Sequence, residues 1–487
     1  MSNDYYSALV GKVWNYAHVL RDAGVSYGDY VEQITCLLFL KMDEERTDNL
    51  GEPSILPEGC RWAVLRPLRG EKLGDAYARI LATLARRDGL LGTIYQKARN
   101  AIEDPAKLER LIRLIDGETW LGLNVDVKGA IYEGLLERNA AEVKSGAGQY
   151  FTPRPLIDAI VEVVDPQPGR TVCDPASGTG GFLLSAHAHM KTHPAARDRR
   201  MAEKLRKATF TGYDIVPGVV RLAAMNLYLH GIGDGASPIH RADALLADPG
   251  TRWNYVLTNP PFGRKQSFKV FTDDGEIDTE RDDYQRPDFT VTTSNKQLNF
   301  LQHVMTILKE DGTAAVVLPD NVLFEAGAGE RIRRRLLDSF DFHTLLRLPT
   351  GIFYKPGVKA NVLFFDKKPG REQPWTRALW VYDFRTNQRF TLKERPLKRS
   401  HLDDFVAVAK LSERAARQPS ERFRSFPYEE LIGRDKLNLD QLFWLKDSAQ
   451  DDPDSLPPPD EIAAEIAESL ESALQRFRSV AARLAGG

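Results

Sequence analysis

The sequence predicts an α/β protein built on a doubly wound, mostly parallel sheet, with an all-helical N-terminal domain before it and a helical C-terminal tail after it. Three patterns lead there. Apolar residues recur at helical spacing over roughly the first 140 positions. From Thr171 onward, short β-branched runs alternate with helical segments. Beyond Pro457-Pro458-Pro459 the helical spacing returns. At 487 residues the chain exceeds one ordinary core, and domains are expected at 1–142, 143–402 and 403–487.

In the first domain Leu9, Val10, Val13, Trp14, Ala17 and Leu20 form one helical stripe, and Val31, Ile34, Leu37, Leu38 and Met42 a second. Further helices are expected near Leu73–Arg86, Ala106–Ile115 and Val127–Ala141, with Pro53, Pro57 and Pro67 breaking the chain between them. No residue here carries chemistry by itself, so the block reads as a packing or interaction domain.

The expected strands are Thr171–Cys173, Phe210–Asp214, Pro238–Arg241, Tyr255–Thr258, Thr313–Leu318, His343–Leu348 and Lys359–Phe365. Helices are expected at Gly181–Lys191, Gly218–Gly231, Lys296–Glu310 and Glu330–Ser339. In such a sheet ligands bind at the carboxyl ends of the strands. The segment Gly263–Asn295 lacks clear periodicity and reads as a long loop, functional or disordered. In the tail, Asp460 caps a helix whose Ile466, Leu470, Ala473, Phe477, Val480 and Leu484 make a heptad-like seam, suited to docking on its own chain or on a partner's helix.

Composition narrows the class. The chain is 42% hydrophobic and 28% charged, and no apolar run approaches the roughly 18 residues of a membrane span, so no membrane association is expected. The start, Met1-Ser2-Asn3-Asp4, lacks the basic and apolar regions of a secretion signal, and a cytoplasmic location is expected. Cys36, Cys60 and Cys173 are too far apart for a disulfide framework or a zinc site. His187, His189 and His193 lack the carboxylates a metal site would need, and no metal is expected.

Three motifs carry chemistry. Asp174-Pro175-Ala176-Ser177-Gly178-Thr179-Gly180-Gly181 follows a strand and opens a helix, where glycines let backbone turn tightly and approach a ligand. It has no Gly-Lys-Ser/Thr ending, so it is no phosphate-binding loop. It suits a ligand without phosphates, such as S-adenosylmethionine, or a tight turn alone. Asp214 ends the next strand and can accept from both ribose hydroxyls of an adenosine, or cap a helix. Asp243 ends the third and can accept from an adenine amino group, or serve in a loop.

The last motif is Asn259-Pro260-Pro261-Phe262, at the end of the fourth strand. Consecutive prolines cannot donate to a ladder, so the strand stops there on stiff backbone. An exocyclic amine of a base is a poor nucleophile because its lone pair is delocalised into the ring. Acceptors at the Asn259 side-chain oxygen and the Pro260 carbonyl would localise that lone pair for attack on a sulfonium methyl. Phe262 offers a face to a base flipped out of its stack. The residues thus read as a methyltransferase acting on a DNA base, at adenine N6. The basic clusters Arg197–Arg200 with Lys204, Arg206 and Lys207, and Arg331–Arg335, read as solvated helix faces.

Together the motifs resemble the modification (methyltransferase) subunits of type I restriction–modification systems, N6-adenine DNA methyltransferases with a Rossmann-like sheet. Ile131–Glu137 looks like the family's helix before the catalytic domain. Gln149, Tyr150, Phe151, Thr152, Pro153 and Arg154 resemble its segment gripping the methionine portion of the cofactor. Leu318-Pro319-Asp320, Leu348–Phe353 and Asn361–Phe365 match as well. Among the residues already read, the resemblance implies cofactor contacts at Asp174, Ala176, Ser177, Gly178, Thr179, Gly180, Asp214, Asp243 and Asn259. The motif order resembles the γ class of amino-methyltransferases.

A net charge of −2 is unusual for a protein that grips double-stranded DNA alone, because phosphate neutralisation supplies most of that affinity. The resemblance implies that a DNA specificity subunit selects the sequence. It also implies two copies of this chain per specificity subunit, joined by a restriction–translocation subunit for cleavage. Competing readings are a stand-alone DNA adenine methyltransferase, a protein-glutamine or RNA-guanine methyltransferase, and a structural subunit that binds cofactor without catalysis.

Overall fold

The structure, a computed structural model, describes residues 16, 27–51, 53–118, 120, 152–233, 235–262, 267–271, 277–281, 284–353, 358–391, 395–446, 466, 470 and 474. In chain order the elements are α1 (Tyr27–Leu50), α2 (Gly70–Ala85), α3 (Gly89–Tyr95), α4 (Pro105–Asp116), α5 (Arg154–Val164), β1 (Val172–Asp174), α6 (Gly181–Thr192), α7 (Arg199–Lys207), β2 (Phe210–Asp214), α8 (Pro217–Leu229) and β3 (Ile239–Arg241). There follow β4 (Trp253–Thr258), β5 (Ser267–Phe271), β6 (Ile277–Arg281), α9 (Lys296–Ile307), β7 (Leu308–Pro319), α10 (Ala328–Ser339), β8 (Phe340–Arg347), β9 (Ala360–Lys367), β10 (Ala378–Asp383), α11 (Asp403–Ala409) and β11 (Phe423–Pro427). The expected helices near 9–20 and 127–141 lie outside the described residues, as do most of the 466–484 seam and the segment 148–151. Among the described residues no helix is long and apolar enough to cross a membrane.

By contacts the chain forms two compact units, Met1–Gly146 with Gly178–Gly180 and Glu203–Ala242, and Ala147–Ser177 with Gly181–Ala202 and Asp243–Gly487. In the first, α2 and α4 bury apolar stripes beneath α1. Helix α4 starts on an Asp104 side chain that accepts from the Ala106 N–H, with Pro105 inside the first turn. Helix α8 joins this core through Leu222, Met225, Tyr228 and Leu229. Its buried Arg221 pairs with Glu32 at 2.6 Å and donates to the Gln96 carbonyl at 2.6 Å. Strands β2 and β3 pair in parallel in the same unit.

In the second unit the described strands follow the order β11-β10-β8-β9-β7-β4-β1. β1, β4, β7, β8 and β10 share one direction, and β9 and β11 run against it. β4 reads Trp-Asn-Tyr-Val-Leu-Thr and is buried almost throughout, as an interior parallel strand requires. Helix α9 packs on β4 and β7, and α10 on β8. An Asn295 side chain accepting from the Gln297 and Leu298 N–H groups starts α9.

The structure departs from the sequence expectation in places. The 263–295 segment is no featureless loop, because β5 and β6 pair antiparallel from Ser267↔Arg281 to Phe271↔Ile277. Two five-residue runs holding Val270, Ile277 and Thr279 are too short for their alternation to stand out. Strand β11 lies within the tail expected to be helical. It is an edge strand with only Phe423 buried, so it lacks an apolar signature. The Arg331–Arg335 cluster is not wholly a solvated face. Arg331 and Arg334 are exposed, but Arg333 is 1% exposed and donates to the carbonyls of Val322, Lys436 and Leu437 at 2.8–2.9 Å.

Arg333→Met should therefore strand three carbonyls, those of Val322 and Leu437 among them buried, and lower the unfolding free energy from urea denaturation by about 3 kcal/mol. Arg331→Ala should stay within about 0.5 kcal/mol of wild type.

Candidate active site

The site is built on strand ends. In the second unit β1 and β4 are parallel neighbours, Cys173 opposite Val256, so Asp174 and Thr258 finish side by side. Both are buried, and the Thr258 hydroxyl donates to Asp174 Oδ1 at 2.6 Å. The same oxygen accepts from the Ala176 N–H at 3.1 Å, which shapes the start of the glycine loop. Ser177 follows with a buried Oγ that has no hydrogen-bond partner among the described residues.

Asn259 comes next after Thr258. Its Nδ2 donates to Thr152 Oγ1 at 2.7 Å, and its Oδ1 is buried with no partner among the described residues. An unmatched buried acceptor costs about 1–3 kcal/mol, so it marks a place where a donor belongs. Pro260 is buried, Pro261 exposed, and the Pro261 carbonyl accepts from Gln297 Nε2 at 3.4 Å. Phe262 is only 9% exposed, and Phe353 meets it edge-on with centroids 5.8 Å apart. Arg154, in the first turn of α5 with Pro155, donates to the Gly181 carbonyl at 3.3 Å and pairs with Asp158 at 3.4 Å.

Asp243 accepts from the Leu245 N–H at 2.9 Å and from the Tyr284 hydroxyl at 3.0 Å. The segment after β6 is thus tied to this carboxylate. Its buried Arg286 donates to the Ala244 and Leu245 carbonyls, pairs with Asp288 at 2.7 Å and meets His303 Nδ1 at 3.0 Å.

In the first unit Gly178 and Gly180 adopt positive φ, and a Cβ on Gly180 would sit 2.4 Å from Leu227 Cδ1, so a side chain there would strain the backbone and displace Leu227. Asn226 Nδ2 holds the Thr179 carbonyl at 3.1 Å, while its buried Oδ1 has no partner among the described residues. Asp214 ends β2, accepts from the N–H of Val216 at 2.8 Å and also takes backbone bonds from Gly178 and Ile215. Burial raises its pKa above the usual carboxylate value, against those three bonds. Gln149, Tyr150 and Phe151 lie outside the described residues. Thr258, Phe353, Tyr284 and Asn226 were not expected at the site from sequence; Thr258, adjoining the motif, and Phe353, ending the Leu348–Phe353 match, left a signal.

Burial, then the Arg286 guanidinium, pushes the His303 pKa down to about 3, so the folded ring stays neutral. The unfolded chain takes up a proton near the ordinary value of 6.5. Stability from this group is complete above that pH and is lost as pH falls toward 3, by up to about 1.4 kcal/mol per pH unit. His303→Gln should flatten that part of the stability–pH curve from chemical denaturation.

The profile described as "N-6 DNA Methylase" matches residues 123–439, and that of the "HsdM N-terminal domain" matches 9–115. The methylase subunit of the type I restriction enzyme StySPI of Salmonella potsdam is 38% identical, over 98% of this chain and 96% of its own length. The EcoKI methylase subunit of Escherichia coli K12 is 38% identical, over 96% of this chain and 94% of its own. The EcoKI M protein crystal structure superposes with a TM-score of 0.54 at 34% identity, covering 98% of this chain and 96% of that one. A modification subunit of a putative type I restriction enzyme from Vibrio vulnificus YJ016 shares the fold, with a TM-score of 0.72 at 24% identity, over 88% and 93% of the two chains. With a profile matched over more than half its length and relatives this similar along nearly all of it, the chain belongs to the N-6 DNA methylase family, among the methylase subunits of type I restriction enzymes.

Proposed function

We propose that this N6-adenine DNA methylase works by presenting the unpartnered Asn259 oxygen to the amino group of a flipped adenine. One observation carries the assignment. Thr152 engages the nitrogen end of the amide, and the oxygen end is left buried and unmatched. That acceptor and the Pro260 carbonyl hold the two N–H bonds, so the lone pair is localised on N6 and aimed away from both. Phe262, backed by Phe353, holds the base ring.

S-adenosylmethionine supplies the electrophilic sulfonium methyl. The chain's own groups fit that molecule, since Ser177 Oγ is unmatched and the Asp174–Gly180 loop carries no cation for a phosphate. Asp214 takes the ribose hydroxyls and Asp243 the adenine amine. Gln149–Arg154 take the methionine end, with Ala176 and the glycines Gly178 and Gly180 giving backbone access. The relatives are named as subunits, which supports recognition of double-stranded DNA through a separate specificity subunit, a second copy of this chain, and a restriction–translocation subunit. The seam residues Ile466 and Leu470, 55% and 64% exposed, supply apolar surface for such docking.

Asn259→Ala, assayed with its specificity subunit, should lower methyl transfer to DNA at least about a hundred-fold. Binding of S-adenosylmethionine by calorimetry should stay nearly intact; loss of both would sink the assigned role. Phe262→Ala should weaken catalysis, and an unchanged rate would count against stacking at this ring.

A further inference from the structure

The second unit holds a cavity of about 400 Å³ that the methylation site does not use. It lies where β8 and β10 begin, with Asp341, His343 and Trp380 on those strands and Lys368 just past β9. Strand β8 runs parallel to β4, by way of β9 and β7. Its start therefore lies at the strand ends opposite to Asn259, which follows the last residue of β4.

The lining is cationic beyond what its carboxylates offset. Arg414 bridges Asp341 and Asp366, and Lys368 lies 3.6 Å from Asp311 and 3.8 Å from Asp366. Three guanidiniums remain without a carboxylate partner among the described residues. Arg371 donates to the Gln373 and Pro374 carbonyls, and its Cζ lies over Trp375, 3.5 Å from the ring centroid. Trp375 is itself fixed by a 2.7 Å bond to the Pro369 carbonyl. Arg377 is exposed, and its side chain has no partner among the described residues. Arg417 is 8% exposed and meets only neutral acceptors, Thr344 Oγ1 at 2.9 Å and the His343 and Ala409 carbonyls at 3.4 and 2.6 Å. Its Nε is buried with no partner. Burying a charge without a counter-charge is costly unless something supplies one.

We propose that this cavity binds a phosphate-bearing anion held by Arg371, Arg377 and Arg417. A carboxylate brings two oxygens and one charge. A phosphate brings more oxygens and, in a terminal group, up to two charges, which matches the charge of three guanidiniums without carboxylate partners better. Burial, with repulsion from Arg414, pulls the Arg417 pKa down to about 10, and attraction from Asp341 and Asp366 offsets this only in part. The phosphate comes either from the backbone of duplex DNA or from a free polyphosphate such as a nucleotide. In the first case the cavity extends the DNA track away from the catalytic strand ends.

Calorimetric titration of the full chain at constant ionic strength tests this with pyrophosphate, ATP, a duplex of G·C pairs only, and acetate as control. The wild type should bind at least one phosphate probe well above acetate. R371E/R377E, both at exposed positions, should weaken that binding about a hundred-fold, since each charge-assisted bond is worth about ten-fold or more. R377K should retain most of it, and Asn259→Ala all of it. Binding of pyrophosphate or ATP assigns a free polyphosphate; binding of the duplex alone assigns the DNA backbone. The proposal is overturned if no phosphate probe exceeds acetate, or if R371E/R377E binds as wild type with an unchanged melting temperature. Equal weakening by R197E/R200E on the exposed Arg197–Arg200 surface would also overturn it, as a general charge effect.

Discussion

The hydrogen bond from Asn259 Nδ2 to Thr152 Oγ1 holds the amide nitrogen, so in the proposed mechanism it decides which end of that amide meets a substrate amine. β4 is bonded on one side to β1 and on the other to β7, which fixes the backbone up to Thr258. Thr258 then ties to Asp174, and two prolines take over where the ladder ends. An amide left free to turn would offer its donor end to the amine as readily as its acceptor. It would also give up rotamer freedom when substrate arrives, of order 1 kcal/mol. Orientation settled in folding would remove that cost from binding and leave the unmatched oxygen for the substrate to satisfy.

Charge is organised with the same economy. The chain has 66 basic and 68 acidic residues, yet several of its arginines face inward. Arg333 and Arg347 reach backbone carbonyls of residues 436–442, and Arg347 also pairs with Asp440. These bonds build the segment beyond α11 into the second unit. Arg286 anchors the segment after β6 in the same manner. Cations used as internal clamps do not serve as a DNA-facing surface. A near-neutral chain that modifies DNA therefore has only local cationic places to offer the phosphate backbone, which agrees with the proposed reliance on partners.

Much of this was legible in the sequence. β2 runs over Phe210–Asp214 as expected, and β4 differs only by starting at Trp253 instead of Tyr255. β4 carries the apolar run Tyr255-Val256-Leu257, and β2 sits between two helical stretches, both local signals. Strand β11 was not legible, because it owes its existence to β10 beside it. The Thr152–Asn259 bond joins residues 107 positions apart, beyond any local pattern. Arg333 misled for a related reason. Within Arg-Ile-Arg-Arg-Arg only tertiary packing tells the inward arginine from its exposed neighbours.

Two aspartates show how sequence alternatives can merge in three dimensions. Asp214 and Asp243 each read either as a cap or as a cofactor ligand, and both accept backbone N–H bonds of the capping kind. A carboxylate has two oxygens with about four acceptor sites, so a cap leaves capacity for a ligand. The cap also fixes the rotamer, which aims the remaining lone pairs. For Asp214 the energetics favour that double use, because burial raises its pKa despite three backbone bonds. The charged form is under-solvated there, and two ribose hydroxyls would supply the donors it lacks. In the proposed cofactor site, capping would then be the means by which both carboxylates are held ready.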